Sequence, residues 1–247
     1  MSTFVLDDAR EYIFPLFLVD SQDNGIFLES RTFLGTAFFV TKCGDAITAN
    51  HVLPKPESLP PGKKVVAVVQ EGREQKVCWL TDAASFETYD FALIHVNIEC
   101  TKYLKLNDTE IFAGTDVQLI GVPSHEVWMT GKEMRILKGH VTLVAHQLEL
   151  NIAVPLGMSG CPVFNGTEVV AFATQSVKSE EIEDYSEEVE LLSNNKEQIR
   201  ITKVTRVTHY GMALPLFKLR SEVSALFDGK TLMQLIKARN KRITDIS

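Results

Sequence analysis

Apolar runs of five to eight residues, each closed off by turn residues, recur along this chain. A chain with that rhythm cannot build its core from long helices. The runs include YIFPLFLV (12–19), GTAFFV (35–40), KVVAVVQ (64–70), FALIHV (91–96), DVQLIGV (116–122), HVTLVAH (140–146), LELNIAV (148–154) and EVVAFAT (168–174). They are rich in Val, Ile, Phe and Thr, whose branched or flat side chains pack on a half-buried pleated surface. Many short strands without helical spacers predict an all-β protein, a sandwich or barrels.

A helical pattern appears only near the C-terminus. LFKLRSEVSALF (216–227) spaces Leu216, Leu219, Val223 and Leu226 by three and four residues, and Asp228-Gly229 supplies a stop. KTLMQLIKARNKR (230–242) reads as a second, basic helix whose charges form a solvated face. Residues 177–197 hold eight acids against two lysines and show no strand pattern. That segment reads as a long surface loop.

With 247 residues the chain can form one large domain or two small ones. A formal net charge of −7 lacks the basic footprint that a nucleic-acid partner needs. Cys43, Cys78, Cys100 and Cys161 have no CxxC spacing. This argues against a zinc site or a redox dithiol and for reduced, mostly buried thiols. The apolar run Ile13–Val19 follows acids rather than a basic segment, contains Pro15, and is far too short to cross a bilayer. A soluble, cytoplasmic protein without membrane association is expected.

Three stretches carry chemistry. GTAFFVTKCGDAITANHVL (35–53) reads as strand, turn, strand and then His51. In TYDFALIHV (88–96), Asp90 opens a strongly apolar strand, where a half-buried carboxylate needs a partner. In GMSGCP (157–162), Ser159 sits between glycines after one strand and before another. A serine hydroxyl is a weak nucleophile and needs an adjacent base, which an imidazole supplies near neutrality. A carboxylate on the other ring nitrogen orients that imidazole and stabilises the imidazolium. The backbone N–H groups of Gly157 and Ser159 could converge on an oxyanion if the loop curls around residue 158, and glycine tolerates the dihedrals this demands. Each residue alone has a plainer reading as a turn or surface residue; the order His, Asp, Ser with these flanks makes the joint plain reading weak. The order and the cysteine at 161 exclude the G-x-S-x-G elbow. Cys161 itself reads as small core filler.

These stretches resemble the trypsin/chymotrypsin-like peptidases, particularly the HtrA/Deg-like and related bacterial branch. The family's G-[ST]-A/G-F and I-T-A-x-H-V blocks appear as Gly35-Thr36-Ala37-Phe38 and Ile47-Thr48-Ala49-Asn50-His51-Val52. D-[IFL]-A-[LV] appears as Asp90-Phe91-Ala92-Leu93, and G-x-S-G-x-P as Gly157-Met158-Ser159-Gly160-Cys161-Pro162. GVPS (121–124), KGHVT (138–142) and YGMALPL (210–216) are similar to further family segments, so the resemblance spans about residues 10–227.

The resemblance implies two six-stranded antiparallel β-barrels (approximately 10–105 and 106–215) followed by a helical segment (216–242), all one peptidase domain. It implies His51, Asp90 and Ser159 as a catalytic triad in the cleft between barrels, with Gly157 and Ser159 as oxyanion donors. Ala153, Ala173, Thr174, Gln175, Ser176 and Gly211 are the implied substrate-pocket positions, with Thr174 also placed to support the aspartate. No metal or organic cofactor is implied. Met158 stands where digestive members have an aspartate that receives a freed N-terminal amine, so that activation route is unavailable. No PDZ domain is expected after this one. Ala153 at the pocket base gives no anchor for Lys or Arg, which leaves a small or medium apolar P1 residue. The expected partners are a protein or peptide substrate and a regulatory protein, the latter through the acidic segment. The enzyme would be a maintenance enzyme or the effector of a signalling or defence system. The rival is a catalytically silent pseudoprotease that serves as a protein-binding module of the same fold.

Overall fold

The computed structural model describes residues 9–20, 31–72, 74–100, 102–123, 134–191, 197–220, 223–224 and 229–244, with backbone alone at 56, 178–191, 197–208, 223–224 and 241–244. The strands are β1 (Ile13–Asp20), β2 (Thr32–Phe39), β3 (Asp45–Ala49), β4 (Lys63–Glu71), β5 (Glu74–Phe86) and β6 (Phe91–Val96), then β7 (Asp116–Gly121), β8 (Arg135–Val144), β9 (Leu148–Leu150), β10 (Pro162–Asn165), β11 (Glu168–Leu191) and β12 (Glu197–Pro215). They close into two six-stranded barrels, in the orders β1-β2-β3-β6-β5-β4 and β10-β11-β12-β9-β8-β7, every pair antiparallel. The all-β, two-barrel expectation holds. Closure removes the free edges that such strongly apolar strands would otherwise expose.

Pro15 lies within β1, yet it breaks no needed bond. Pairing of β1 with β4 begins at Leu16, so Pro15 has a ladder partner only on the β2 side, opposite Thr36. Barrel cores fill with the predicted runs: Phe14 stacks against Phe39 at 4.4 Å in the first, and Val117, Leu119, Val163 and Ala171 fill the second. Phe91 of β6 meets Phe172 of β11 at 5.8 Å, so the two barrels share an apolar seam. That seam holds the ends of β3, β6 and β11 in fixed relation.

Three expectations need correction. Residues 216–227 are not a helix where described: Leu216–Leu219 form a single 3-10 turn, and Val223–Ser224 (β13) pairs with Lys230–Thr231 (β14). One turn suffices to bury both Leu216 and Leu219, so their spacing did not need a longer helix. Residues 221–222 and 225–227 lie outside the described residues. Next, the acidic segment is no loop over 177–191 but the outer half of β11, paired with β12 from Val177↔Tyr210 to Leu191↔Glu197. Its partner is rich in β-branched residues, and the register sets Glu188 opposite Arg200. Residues 192–196 of that segment lie outside the described residues.

The third correction concerns the last helix, α1 (Leu232–Thr244). A capping box starts it: Thr231 Oγ1 accepts from Gln234 N–H at 3.3 Å, and Gln234 Oε1 accepts from Thr231 N–H at 3.0 Å. Its face of Leu232, Leu235 and Ile236 joins the core of the first barrel. Its basic residues are not all solvated, because Arg239 pairs with Asp45, whose side chain is 2% exposed. Asp45 also accepts from Thr41 Oγ1 at 2.7 Å and bonds His95 Nδ1 at 3.1 Å. Asn240 adds a bond from Lys42 N–H at 3.1 Å. Asp45→Ala is therefore expected to cost about 3 kcal/mol, by stranding the buried Thr41 hydroxyl and leaving the partly exposed Arg239 and His95 without their carboxylate. Thermal melts should show the midpoint falling by about 6–12 °C; an unchanged midpoint would show that the latch adds nothing.

Candidate active site

The end of β3 delivers His51. A 3-10 turn, Asn50–Val52, follows directly on Ala49 and buries Val52, which leaves the ring of His51 half exposed at the seam. Asp90 is presented by the neighbouring strand. It closes the 3-10 turn Glu87–Tyr89 in a left-handed conformation, φ 49°, just before β6 begins. Asp is among the few non-glycine residues that tolerate that region. Because Ala49 pairs with Phe91, the two turns must lie side by side, and Asn50 N–H donates to Asp90 O at 3.0 Å.

The Asp90 carboxylate then takes three contacts from one residue. His51 Nδ1 lies 2.8 Å from Oδ2 and 3.0 Å from Oδ1, and the His51 backbone N–H donates to Oδ1 at 2.9 Å. An Nδ1–H held this way leaves the lone pair on Nε2, the tautomer a general base needs. Beside Asp90, Tyr89 stacks on His146 of the second barrel at 5.9 Å.

Ser159 arrives from the other barrel. The turn before it is closed by Met158 N–H donating to Pro155 O at 3.1 Å, with Gly157 at φ 90°. A positive φ at the third residue of a turn is the type II signature, which glycine meets without strain. A Cβ there would stand 2.3 Å from the Phe33 ring and 2.6 Å from Pro123 O. Gly160, at φ 85°, lies so close to the first barrel that a Cβ would sit 2.2 Å from Thr36 O and 2.4 Å from Thr48 Oγ1. Among the described residues neither Gly157 N–H nor Ser159 N–H meets an acceptor. Two free donors beside a serine are what an oxyanion site requires.

The serine hydroxyl itself points elsewhere. Ser159 Oγ donates to Thr174 O at 3.0 Å, and it forms no bond with His51. Thr174 is the extra residue of a bulge, since β11 pairs Ala173 with Ala213 and Gln175 with Met212. Bulges often re-aim a group next to a functional site. The Thr174 hydroxyl donates to Met212 O at 3.2 Å, so its expected support of Asp90 is not formed. The bulge has turned that side chain into the second barrel and its carbonyl toward the serine.

The remaining pocket positions divide by exposure. Ala153, Gln175 and Ser176 are open to solvent. Ser176 is in register with Gly211, and a Cβ at Gly211 would meet Ile152 O at 2.4 Å, which places these residues around one surface. Ala173 is buried, and its N–H and C=O bond Cys161 O and Gly160 N–H. It supports the serine turn rather than offering a surface to substrate.

Cys161 acquires a reason. It is fully buried, and a Cβ at Gly121 would be 2.6 Å from its own Cβ, so the glycine makes room for the thiol. Burial pushes that thiol well up, as it does Cys100, which is pushed up to about 12. Neither is a nucleophile at neutral pH. All four cysteines are reduced thiols. Met158 is equally buried, in the core of the second barrel.

Two residues were overlooked as site elements. Thr36 Oγ1 donates to Gly157 O at 2.8 Å, and Thr36 N–H donates to Ser159 O at 2.9 Å. Thr48 Oγ1 in turn donates to Thr36 O at 2.7 Å. Both stand in the matched blocks, but a pattern position does not say whose carbonyl a hydroxyl will meet.

Comparison with known proteins agrees with this fold. The trypsin-like peptidase domain family matches residues 35–171, more than half of the chain, from β2 to β11. The match is to that domain as a whole rather than to the HtrA/Deg-like branch. Among solved structures, the apo crystal structure of the MamO protease domain from Magnetospirillum magneticum is similar, with a TM-score of 0.56 and 14% identity. The similarity covers 87% of this chain and 97% of that one, and at such identity it speaks for the fold. No curated protein sequence matches. No helix among the described residues is long and apolar enough to cross a membrane.

Proposed function

We propose, from the premise that this chain belongs to the trypsin-like peptidase family, that it is a serine endopeptidase acting through His51, Asp90 and Ser159. The observation that carries this reading is the Asp90–His51 pair, set at the barrel seam beside a serine flanked by two unengaged N–H donors. In the reaction, Ser159 Oγ turns from Thr174 O to His51 Nε2 by rotation about one side-chain bond. It attacks the scissile carbonyl carbon as its proton passes to Nε2. The oxyanion rests on Gly157 and Ser159 N–H. The tetrahedral species collapses as His51 gives the proton to the departing amine, leaving an acyl-enzyme on Ser159. Water, deprotonated by His51, then releases the acid and restores the hydroxyl.

The substrate is a protein or peptide, with a small or medium apolar residue preferred at P1 because Ala153 supplies no charge. A regulatory partner would act through the β11–β12 ribbon, which continues the strand bearing Gln175 and Ser176. Four reduced thiols support a reducing, cytoplasmic setting. The silent binding module is the rival, drawing on the bond between Ser159 and Thr174. A fluorophosphonate probe tests between them. Folded protein should acquire a single adduct, located on Ser159 by mass spectrometry, and heat-denatured protein none. Folded protein that stays unlabelled would leave the binding module standing.

A further inference from the structure

Thr36 belongs to the first barrel, yet its contacts fall on the second. Its side chain is fully buried. The hydroxyl proton goes to Gly157 O at 2.8 Å rather than to Val122 O at 3.4 Å, and the oxygen accepts from Val122 N–H at 3.3 Å. The peptide between Gly157 and Met158 is thus held at both ends. Its carbonyl is tied to Thr36 across the seam, and its N–H to Pro155 within the turn. The peptide after Ser159 is also tied, through Ser159 O to Thr36 N–H.

A peptide is planar, so pinning these two planes leaves few ways to orient the one between them, which carries Ser159 N–H. The plane before them carries Gly157 N–H and is the central peptide of the turn; the Pro155–Met158 bond alone permits it either way up, because type I and type II turns share that bond. Glycine at 157 resists no flip by itself, since it populates positive and negative φ about equally. With φ at 90°, the Phe33 ring stands against Gly157 and the Thr36 hydroxyl bonds its carbonyl, both from the first barrel. We propose that Thr36 is a positioning residue for the oxyanion donors, clamping the 157–158 peptide so that Ser159 N–H stays aimed at the reacting carbonyl and Gly157 stays seated against the first barrel. This rests on the peptidase reading above. It also couples docking of the barrels to competence of the turn.

The test compares wild type, Thr36→Val and Thr36→Ser. Valine keeps the shape and removes the hydroxyl, while serine keeps the hydroxyl and loses a methyl. Two ligands are measured: a chromogenic peptide substrate, and a peptide boronate, whose tetrahedral adduct places an oxygen in the oxyanion site. Thr36→Val is expected to lower kcat and boronate affinity by about 10²-fold, the scale of a misplaced reacting group, with KM little changed. Thr36→Ser should stay within about threefold of wild type on both. A general loosening of the fold would move KM and the thermal midpoint together and spare no ligand selectively.

Wild-type boronate affinity retained in folded Thr36→Val overturns the proposal while leaving the peptidase reading intact. A wild type that neither cleaves peptide nor binds boronate overturns both. If Thr36→Val does not fold, Thr36→Ala is read in its place. If neither folds while Thr36→Ser does, the hydroxyl serves the fold rather than the turn, and the proposal fails.

Discussion

Ser159→Ala and His51→Ala are each expected to lower kcat by about 10⁶-fold, with KM and the thermal midpoint near wild type. In the proposed mechanism the two side chains act as one unit: alanine at 159 would remove the atom that bonds to carbon, and alanine at 51 the acceptor of its proton. The double variant should therefore be no worse than either single one. Asp90→Asn should cost about 10⁴-fold, because an amide would turn its NH₂ toward His51 Nδ1 and favour the wrong tautomer. None of these side chains is fully buried, so the fold should tolerate all three. Initial rates on a chromogenic peptide with an apolar P1 residue give the comparison. Additive losses in the double variant, or a Ser159→Ala rate within tenfold of wild type, would falsify the assignment.

Gly157→Ala should do the second-largest damage, and by a different route. The new methyl would need φ 90° for an L-residue and would lie 2.6 Å from Pro123 O, a backbone atom that cannot swing away. The left-handed conformation alone costs roughly 1–2 kcal/mol. The cheaper response is to flip the turn, which takes Gly157 N–H off the oxyanion and costs about 10³-fold in kcat. A flip leaves the histidine–aspartate pair untouched, so Asp90→Asn in this background should still lose most of its 10⁴-fold. A fully active Gly157→Ala would mean that the oxyanion is held by other donors.

Much of the fold was legible because the apolar runs are local. A run such as FALIHV declares itself a strand from its own composition, and β6 occupies Phe91–Val96. The strands that escaped notice, β5 and the outer parts of β11 and β12, depend on their partners. Most of β5 is exposed or half-exposed, so no buried face marks it. Acidic residues 181–191 are held as strand by a register that only the paired chain supplies. The helix expected at 216–227 rested on a spacing of which a single 3-10 turn satisfies Leu216 and Leu219, while Val223 stands in β13.

The site divides in the same way. Residue types and their order along the chain sufficed to nominate His51, Asp90, Ser159 and Gly157, because nucleophile, base, orienting acid and permissive glycine are chemical requirements written in single residues. Tertiary structure decided which atoms meet. It set His51 Nδ1 on Asp90, sent the Thr174 hydroxyl to Met212, turned Ala173 inward, and gave Thr36 the carbonyl of Gly157. Hydrogen bonds depend on distances of tenths of an ångström between residues such as Thr36 and Gly157, 121 positions apart in the chain. Such distances are fixed only when two closed barrels pack along one seam.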